Sequence, residues 1–174
     1  TDPRVDEVND ALPGANCGAC GYPGCAGLAA DIVASKAAVN ACIVGGPAVA
    51  EKIAKIMGTS SSDEVREKDV ARVLCQGGNE ECKPASDYHG VETCKAAVLV
   101  NDGQKSCPFA CVGFGDCVAV CPVNAIKMGS NGLPIIDENL CTGCNLCVME
   151  CPKSVIELSP EGNEVHVRCR ATLK

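Results

Sequence analysis

Cysteine is the residue that most constrains how this chain can fold. The 174-residue sequence contains 16 cysteines but only two Phe, two Tyr and no Trp. Aromatic side chains normally supply much of the energy of a hydrophobic core, so small residues alone would hold this chain together weakly. Folds with small cores are usually stabilised by disulfides or by bound metal. The spacing of the cysteines decides between these two alternatives.

The most specific spacing is the pattern C-x2-C-x2-C-x3-C-P. Its members are Cys141, Cys144, Cys147 and Cys151, followed by Pro152. In this bacterial type of run, three thiolates surround one [4Fe–4S] cubane and the fourth binds a second cluster. A zinc ribbon would show two separated C-x2-C pairs, and disulfides rarely need cysteines so closely spaced. The pattern therefore indicates iron–sulfur clusters.

The same pattern recurs in incomplete form earlier in the chain. Its cysteines are Cys111, Cys117 and Cys121, each thirty residues before a cysteine of the second copy. The middle position differs, because Phe114 stands where the second copy has Cys144. Two matching repeats predict half-units related by pseudo-symmetry around a shared centre.

Crossed ligation between the two copies predicts two ligand sets. The first set is Cys121, Cys141, Cys144 and Cys147. The second set has only three members, which are Cys111, Cys117 and Cys151. Either Cys107 is its fourth ligand, or the site holds a three-cysteine [3Fe–4S] cluster, and the spacing does not separate these alternatives.

Another group of four cysteines lies near the start of the sequence. Its members are Cys17, Cys20, Cys25 and Cys42. Gly18, Gly21 and Gly24 lie among them, as expected where the backbone must approach a cluster closely. A structural zinc site is the alternative, since four thiolates also suit tetrahedral zinc. The cubane pattern elsewhere in the chain favours iron.

The cysteines between these motifs are Cys75, Cys82 and Cys94, with Cys107 or Cys169 as a fourth partner. They predict a further cluster, a zinc knot or buried free thiols, because free cysteine also behaves as a small core residue. Cys169 alone suggests a free thiol or a ligand for something outside this sequence. The chain is thus predicted to carry three to four [4Fe–4S] clusters, one of them [3Fe–4S] or atypically ligated.

Apolar periodicity and turn residues predict an α+β chain in four parts. These are a small helical one-cluster domain at 1–58, a linker at 59–69, a cysteine-rich segment with an additional cluster site at 70–110, and a dicluster domain of bacterial-ferredoxin type at 111–174. The three predicted helices start at Pro3, cover residues 24–38 and follow Pro47. The predicted strands are 70–74, 123–126, 133–137, 153–156 and 165–167.

Charge and motifs exclude several classes of function. The formal net charge is −7, so binding to nucleic acid would gain nothing from counterion release. No paired carboxylates, Ser–His arrangement or nucleotide fingerprint is visible, so the chain is predicted to have no substrate-transforming site of its own. The expected activity is the transfer of single electrons.

The block ALPGANCGACGYPGCAGLA, with Cys42 and GGPAVAEKIA, closely resembles the cluster domain of the B subunit of Rnf complexes. The order of the later parts agrees, with VLCQGGNEECK, then CPFACVGFGDCVAVCPVNAI, then the second ferredoxin motif. The sequence is similar to the longer form of this subunit found in clostridia and other anaerobes. This resemblance covers nearly the whole chain.

The resemblance implies a subunit of an ion-translocating ferredoxin:NAD+ oxidoreductase. Such a subunit would take electrons from reduced ferredoxin and pass them to other subunits at the cytoplasmic face of the cell membrane, with membrane association through a segment absent from this sequence. An acidic chain would repel an acidic ferredoxin, so docking would need a basic patch, for which Lys83, Lys95 and Lys105 are candidates. The rivals are an electron-transfer subunit of another anaerobic oxidoreductase and a zinc-stabilised interaction module.

Overall fold

The computed structural model describes residues 2–59, 68–163 and 165–172. Most of the predicted linker, residues 60–67, lies outside these ranges. The chain divides into two compact units. The first contains residues 2–59 with the segment Thr142–Cys144, and the second contains the other described residues from 68 onward. The predicted mixture of helices and small sheets is confirmed.

The first unit consists of three helices. They are α1 (Pro3–Ala11), α2 (Cys25–Val33) and α3 (Gly46–Met57). Helix α1 begins where the Asp2 carboxylate accepts the backbone N–H of Arg4 at 3.0 Å, with Pro3 in the first turn. Helix α3 ends at Gly58, whose φ of +65° is the left-handed conformation of a glycine cap.

Apolar side chains from all three helices meet in one small core. The buried members are Val8, Leu12, Leu28, Ala29, Ile32 and Ile53. Helix α2 is shorter than the predicted 24–38, because it ends at Val33 and Ser35 has a φ of +57°. A core this small buries little area, which leaves much of the stability of this unit to whatever the four cysteines bind.

The second unit contains three short helices and four strands. The helices are α4 (Cys94–Val98), α5 (Asp116–Ala119) and α6 (Leu146–Glu150). The strands are β1 (Asp69–Val73), β2 (Ile126–Met128), β3 (Pro134–Ile136) and β4 (Ile156–Pro160). They form two antiparallel pairs, β1 with β4 and β2 with β3.

Some strands differ from their predicted positions. The strands predicted at 123–126 and 153–156 begin only at Ile126 and Ile156, because Asn124 and Ser154 turn the chain with φ of 52° and 50°. The strand predicted at 165–167 is wrong: β4 already pairs with β1, and Val165 and Val167 are exposed.

The thirty-residue sequence repeat is also a structural repeat. Helices α5 and α6 start thirty residues apart, and so do β2 and β4. Left-handed backbone conformations recur in three equivalent pairs, Gly113 and Gly143, Gly115 and Asn145, and Asn124 and Ser154. The two halves therefore share their turns as well as their cysteines.

The first half carries a long insertion. The N–H of Leu74 donates to the carbonyl of Val155 at 2.7 Å, and the N–H of Asp137 donates to the carbonyl of Ala125 at 2.8 Å, so Leu74 and Asp137 are equivalent. Cys111 and Cys141 are equivalent as well. Residues 75–110 therefore stand where residues 138–140 stand in the second half, and they contain α4.

Candidate metal centres

The first unit brings four cysteines to one cavity. They are Cys17, Cys20, Cys25 and Cys42. Gly18 and Gly24 line the same cavity, and Leu28 and Ile43 give it an apolar wall. All four sulfurs of the first predicted group thus face one space.

Asn16 fixes the cysteine-bearing loop against the start of α2. Its side-chain oxygen accepts the backbone N–H of Cys25 at 2.8 Å. Gly24 has a φ of +96°, and a Cβ there would lie 2.9 Å from the same oxygen. The turn therefore requires glycine both for its conformation and for the close approach of Asn16.

The electrostatics of Cys42 show how close the four sulfurs are. Burial raises the pKa of the Cys42 thiol, and negative charge on Cys20, Cys25 and Cys17 raises it further, against a backbone hydrogen bond from Gly45. Four thiolates in one partly buried space are unstable without cations among them. Bound iron would supply that positive charge and displace the thiol protons.

A second cavity lies in the second unit. Its cysteines are Cys94, Cys111, Cys117 and Cys151. The structure therefore brings Cys94 rather than Cys107 to the three cysteines whose fourth partner the spacing left open. Lys153 lines the same cavity, and its ammonium group donates to the carbonyl of Asp102 at 3.0 Å.

Thiols at this second centre are harder to ionise than ordinary cysteine. Burial raises the pKa of Cys111 to about 11, with added repulsion from Cys75 and Cys94. Burial also raises the pKa of Cys117 to about 12, and Cys111, Cys94, Cys151 and Cys147 add to the shift. Ligand thiolates are thus stable here only when a cationic centre is bound.

Phe114 stands at the repeat position equivalent to Cys144, and it packs beside Cys94. It packs against the buried group of Cys94, Ala97 and Val112, and its ring centroid lies 5.7 Å from that of Tyr88. Helix α4, which starts at Cys94, is therefore held by an aromatic contact at the very position that lacks a ligand.

Polar contacts also fix α4. The Thr93 hydroxyl accepts the N–H of Ala96 at 3.2 Å and caps the helix. The N–H of Lys95 donates to the Asp116 carboxylate at 3.3 Å, and the Lys95 ammonium pairs with Glu150 at 2.7 Å. The insertion is thus attached to both α5 and α6.

Three cysteines of the other predicted set share the core of the second unit. They are Cys121, Cys141 and Cys147. Backbone N–H groups point at two of these sulfurs, from Ala125 to Cys121 at 3.2 Å and from Ala71 to Cys141 at 3.4 Å. Cys144 lies in the segment Thr142–Cys144, and its membership depends on the C-x2-C-x2-C spacing.

The remaining cysteines lie around the insertion and the C-terminal segment. Cys75, Cys107 and Cys169 line an open cavity. Cys82 lies beside them, with its sulfur 3.5 Å from the Ser106 hydroxyl. Burial would raise the pKa of Cys82, but hydrogen bonds from Ser106 and Cys107 and the charge of Lys105 together lower it. Cys94 lines the second cavity instead, and Cys169 lines the open cavity.

The donor chemistry fits iron–sulfur clusters. In the described ranges, no group of three or more His, Cys, Asp or Glu converges on a single metal ion. The cysteines of the first two cavities form no disulfide. Four cysteines around each cavity suit a cubane, which takes four thiolates, together with glycines that let the backbone approach.

Two family models match the segments that carry these cysteines. One, described as "Putative Fe-S cluster", matches residues 12–44. The other, described as "4Fe-4S dicluster domain", matches residues 110–155. The predicted presence of several iron–sulfur clusters is confirmed.

Three curated relatives match almost the whole chain. The chain is 49% identical over 168 residues to the B subunit of the Na(+)-translocating ferredoxin:NAD(+) oxidoreductase complex of Acetobacterium woodii, covering 97% of this chain and 50% of that protein. It is 46% identical to the B subunit of the ion-translocating oxidoreductase complex of Methanosarcina acetivorans, covering 98% and 64%. For the B subunit of the proton-translocating ferredoxin:NAD(+) oxidoreductase complex of Clostridium ljungdahlii, the identity is 44% and the coverages are 99% and 61%. Over nearly its whole length the chain is similar to Rnf B subunits.

This similarity confirms the resemblance seen in the sequence motifs. The chain spans between 50% and 64% of the length of these three relatives. Among the helices of the described residues, none is long and apolar enough to cross a bilayer.

Proposed function

We propose that the chain relays single electrons from reduced ferredoxin to other subunits of an Rnf-type, ion-translocating ferredoxin:NAD+ oxidoreductase. The observation that carries this proposal is the completed second cavity, where Cys94 supplies the ligand that the repeat lacks. With it, the second unit has four cysteines for one centre, and it also contains Cys121, Cys141 and Cys147 of the adjacent set. A dicluster protein moves electrons between such centres.

The proposed relay has three ligand sets in these segments. The first is Cys17, Cys20, Cys25 and Cys42. The second is Cys94, Cys111, Cys117 and Cys151. The third is Cys121, Cys141, Cys144 and Cys147. Cys151 supports the crossed arrangement, because it belongs to the run of the second half yet lines the cavity of the first half.

Proximity of the second and third sets supports transfer between them. Charge on Cys147 raises the pKa of Cys117, so the two side chains are close. Both belong to one buried core, which also contains Val155 and Ile156. The clusters supply the redox chemistry when bound. The chain holds them together, excludes water and points backbone N–H groups at the sulfurs, which tunes the reduction potentials.

The proposed partners come from the names of the relatives. Two of them are named as the B subunit of a ferredoxin:NAD(+) oxidoreductase complex, one Na(+)-translocating and one proton-translocating. We propose ferredoxin as the donor, other subunits of the complex as acceptors, and the cytoplasmic face of the membrane as the location. The names of the relatives do not identify one translocated ion, because one complex is named for Na(+) and the other for protons.

Charge at the surface supports a particular docking region. Lys95 is paired with Glu150, and Lys105 donates to the carbonyl of Gly77 at 2.8 Å, so neither is an unengaged surface charge. Arg168 and Arg170, in contrast, line the open cavity next to Cys169. A local positive region of this kind would offset the net charge of −7 and favour approach of an acidic donor.

Stopped-flow reduction tests the proposal. Chain purified without oxygen is mixed with reduced ferredoxin, and bleaching of its visible iron–sulfur absorption is followed against oxidised ferredoxin as control. We expect bleaching with reduced ferredoxin that slows as salt rises, because docking is electrostatic. Bleaching by dithionite but not by reduced ferredoxin would overturn the proposed donor, and zinc without iron or sulfide would overturn the relay.

A further inference from the structure

We infer that Cys75, Cys82, Cys107 and Cys169 hold a fourth [4Fe–4S] cluster at the solvent-facing end of the second unit. The inference deepens the proposed function, since it adds an outer centre to the proposed relay. All four residues lie outside the segments 12–44 and 110–155 that the family models match. With this set, all 16 cysteines fall into four groups of four.

A tight turn brings Cys75 and Cys82 together. The N–H of Gly78 donates to the carbonyl of Gln76 at 3.0 Å, and the N–H of Cys82 donates to the carbonyl of Gly78 at 2.9 Å. A Cβ at Gly77 would lie 3.2 Å from the Cβ of Cys82 and 3.7 Å from the sulfur of Cys75. Gly77 therefore keeps the space between these two cysteines clear of side chain.

Backbone pairing places Cys107 beside Cys82. The N–H of Ser106 donates to the carbonyl of Lys83 at 3.0 Å, next to an antiparallel bridge between Pro84 and Lys105. Residues 82 and 107 extend from the same end of this pairing. The third cysteine is thus fixed to the turn that holds the first two.

The C-terminal segment supplies the fourth cysteine. Cys169 lines the same open cavity as Cys75 and Cys107, although it is otherwise exposed. Its place in the sequence, far from any other cysteine, gives no spacing signal. The cavity, rather than a motif, therefore identifies it as a partner.

Hydrogen bonds to Cys75 resemble those at the family-matched centres. Its sulfur accepts backbone N–H groups of Gly77 and Cys111, each at 3.3 Å. The sulfurs of Cys121 and Cys141 accept backbone N–H groups at 3.2 and 3.4 Å. N–H donors of this kind favour a thiolate over a thiol and are a feature of cluster ligands.

The position of the site suggests its role in the relay. Cys111 belongs to the second cavity, and its N–H contacts the sulfur of Cys75, so the outer site adjoins the second centre. Arg168 and Arg170 flank the opening, and positive charge there offsets the four thiolates. An outer centre with exposed Cys169 and two arginines is where an acidic donor would transfer its electron.

Iron and acid-labile sulfide per chain test the inference, on the anaerobically reconstituted chain. We expect about 16 irons in the wild type, at four per four-cysteine cubane. Cys82→Ala should lose about four of them. Cys169→Ser, at an exposed position that the fold does not need, should lose the same number or convert the cluster to one with a [3Fe–4S] EPR signal. Val167→Ser, also exposed, is the matched control and should leave iron and EPR unchanged.

Two results would overturn the inference. One is a wild type with about 12 irons, three cubanes, whose iron and EPR are unchanged in Cys82→Ala and Cys169→Ser. The other is zinc bound at the site in place of iron. Stopped-flow reduction separates failure of this inference from failure of the proposed function. If a chain with about 12 irons accepts electrons from reduced ferredoxin, only the inference of a fourth cluster is wrong. If a chain has about 16 irons but is not bleached by reduced ferredoxin, only the proposed electron donor is wrong.

Discussion

The two halves of the second unit have the same backbone fold, but their proposed cluster ligands come from different parts of the chain. The second half has the run Cys141, Cys144 and Cys147 in one loop. The first half has Phe114 at the middle position and receives Cys94 from α4, within the insertion 75–110. The repeat thus keeps four cysteines at the cavity, although one of them comes from a different position in the sequence. A ligand can be replaced from outside the motif when the fold brings another cysteine to the same cavity.

Removing iron should have the largest effect on stability, and it tests whether both halves depend on bound clusters for their fold. Cys111 and Cys117 of the first half and Cys141 and Cys147 of the second are all buried in one core. Metal binding is therefore coupled to folding, and the apo chain should lose cooperative unfolding. Circular dichroism and calorimetry before and after anaerobic chelation measure this. Native ellipticity with a cooperative transition in the apo chain would contradict the expectation.

Moving the fourth cysteine of the second cavity from position 94 to position 114 should produce the next largest effect. Cys94→Ala should lose about four irons, or leave a [3Fe–4S] signal, because the second cavity retains three cysteines. Adding Phe114→Cys should restore the cluster if position 114 corresponds to Cys144. EPR and iron content report both steps.

Cys107→Ala in the same assay decides between the structure and the sequence alternative. If Cys107→Ala removed the cluster of Cys111, Cys117 and Cys151 and Cys94→Ala did not, the assignment of Cys94 would be wrong.

Phe114→Ala tests the packing that accompanies the replaced ligand. Phe114 is half-buried against Cys94, Ala97 and Val112. Truncation should lower the free energy of unfolding by about 1–3 kcal/mol, less than for a fully buried Phe. Denaturant titration of the holo chain measures it, with Ile135→Ala, at an exposed position outside this cluster, as a control. Equal effects of the two substitutions would show that the contact with α4 adds nothing.

The smallest effects are expected at the equivalent turns that start α5 and α6. Gly115 has a φ of 80° and Asn145 a φ of 67°. Ala is disfavoured in this conformation, so Gly115→Ala and Asn145→Ala should each cost about 1–2 kcal/mol of unfolding free energy. A Cβ at Gly115 would also lie 3.3 Å from the Cγ of Met128, which should make that substitution the worse of the two. Thermal melts of both variants give the order, and the reverse order would show that the turns are not equivalent in energy.

Sequence alone predicted the parts of the molecule that depend on local spacing. Cys17, Cys20, Cys25 and Cys42 face one cavity as expected from their grouping, and the crossed position of Cys151 also follows from a repeat pattern. Local spacing works there because a tight loop around a cubane fixes the separation of its ligands along the chain.

Other features depend on tertiary structure and could not be predicted from the spacing of the cysteines. Cys94 comes from an insertion with no period, and Cys169 comes from the distant C-terminal segment, so neither had a sequence signal for its partners. The strand prediction at 165–167 was wrong because pairing with β1 went to β4, a choice that local β propensity does not encode.

The crossing of Cys151 into the cavity of the first half has a consequence for how the protein matures. One short cysteine run serves two centres, so neither half of the repeat holds a full set of donors by itself. Loading by the cellular machinery that delivers iron and sulfide would then require both halves to be synthesised and docked first. A ribosome-bound chain that ends before residue 151 would lack the last ligand of the proposed second set, and oxygen damage to either cubane would loosen its neighbour.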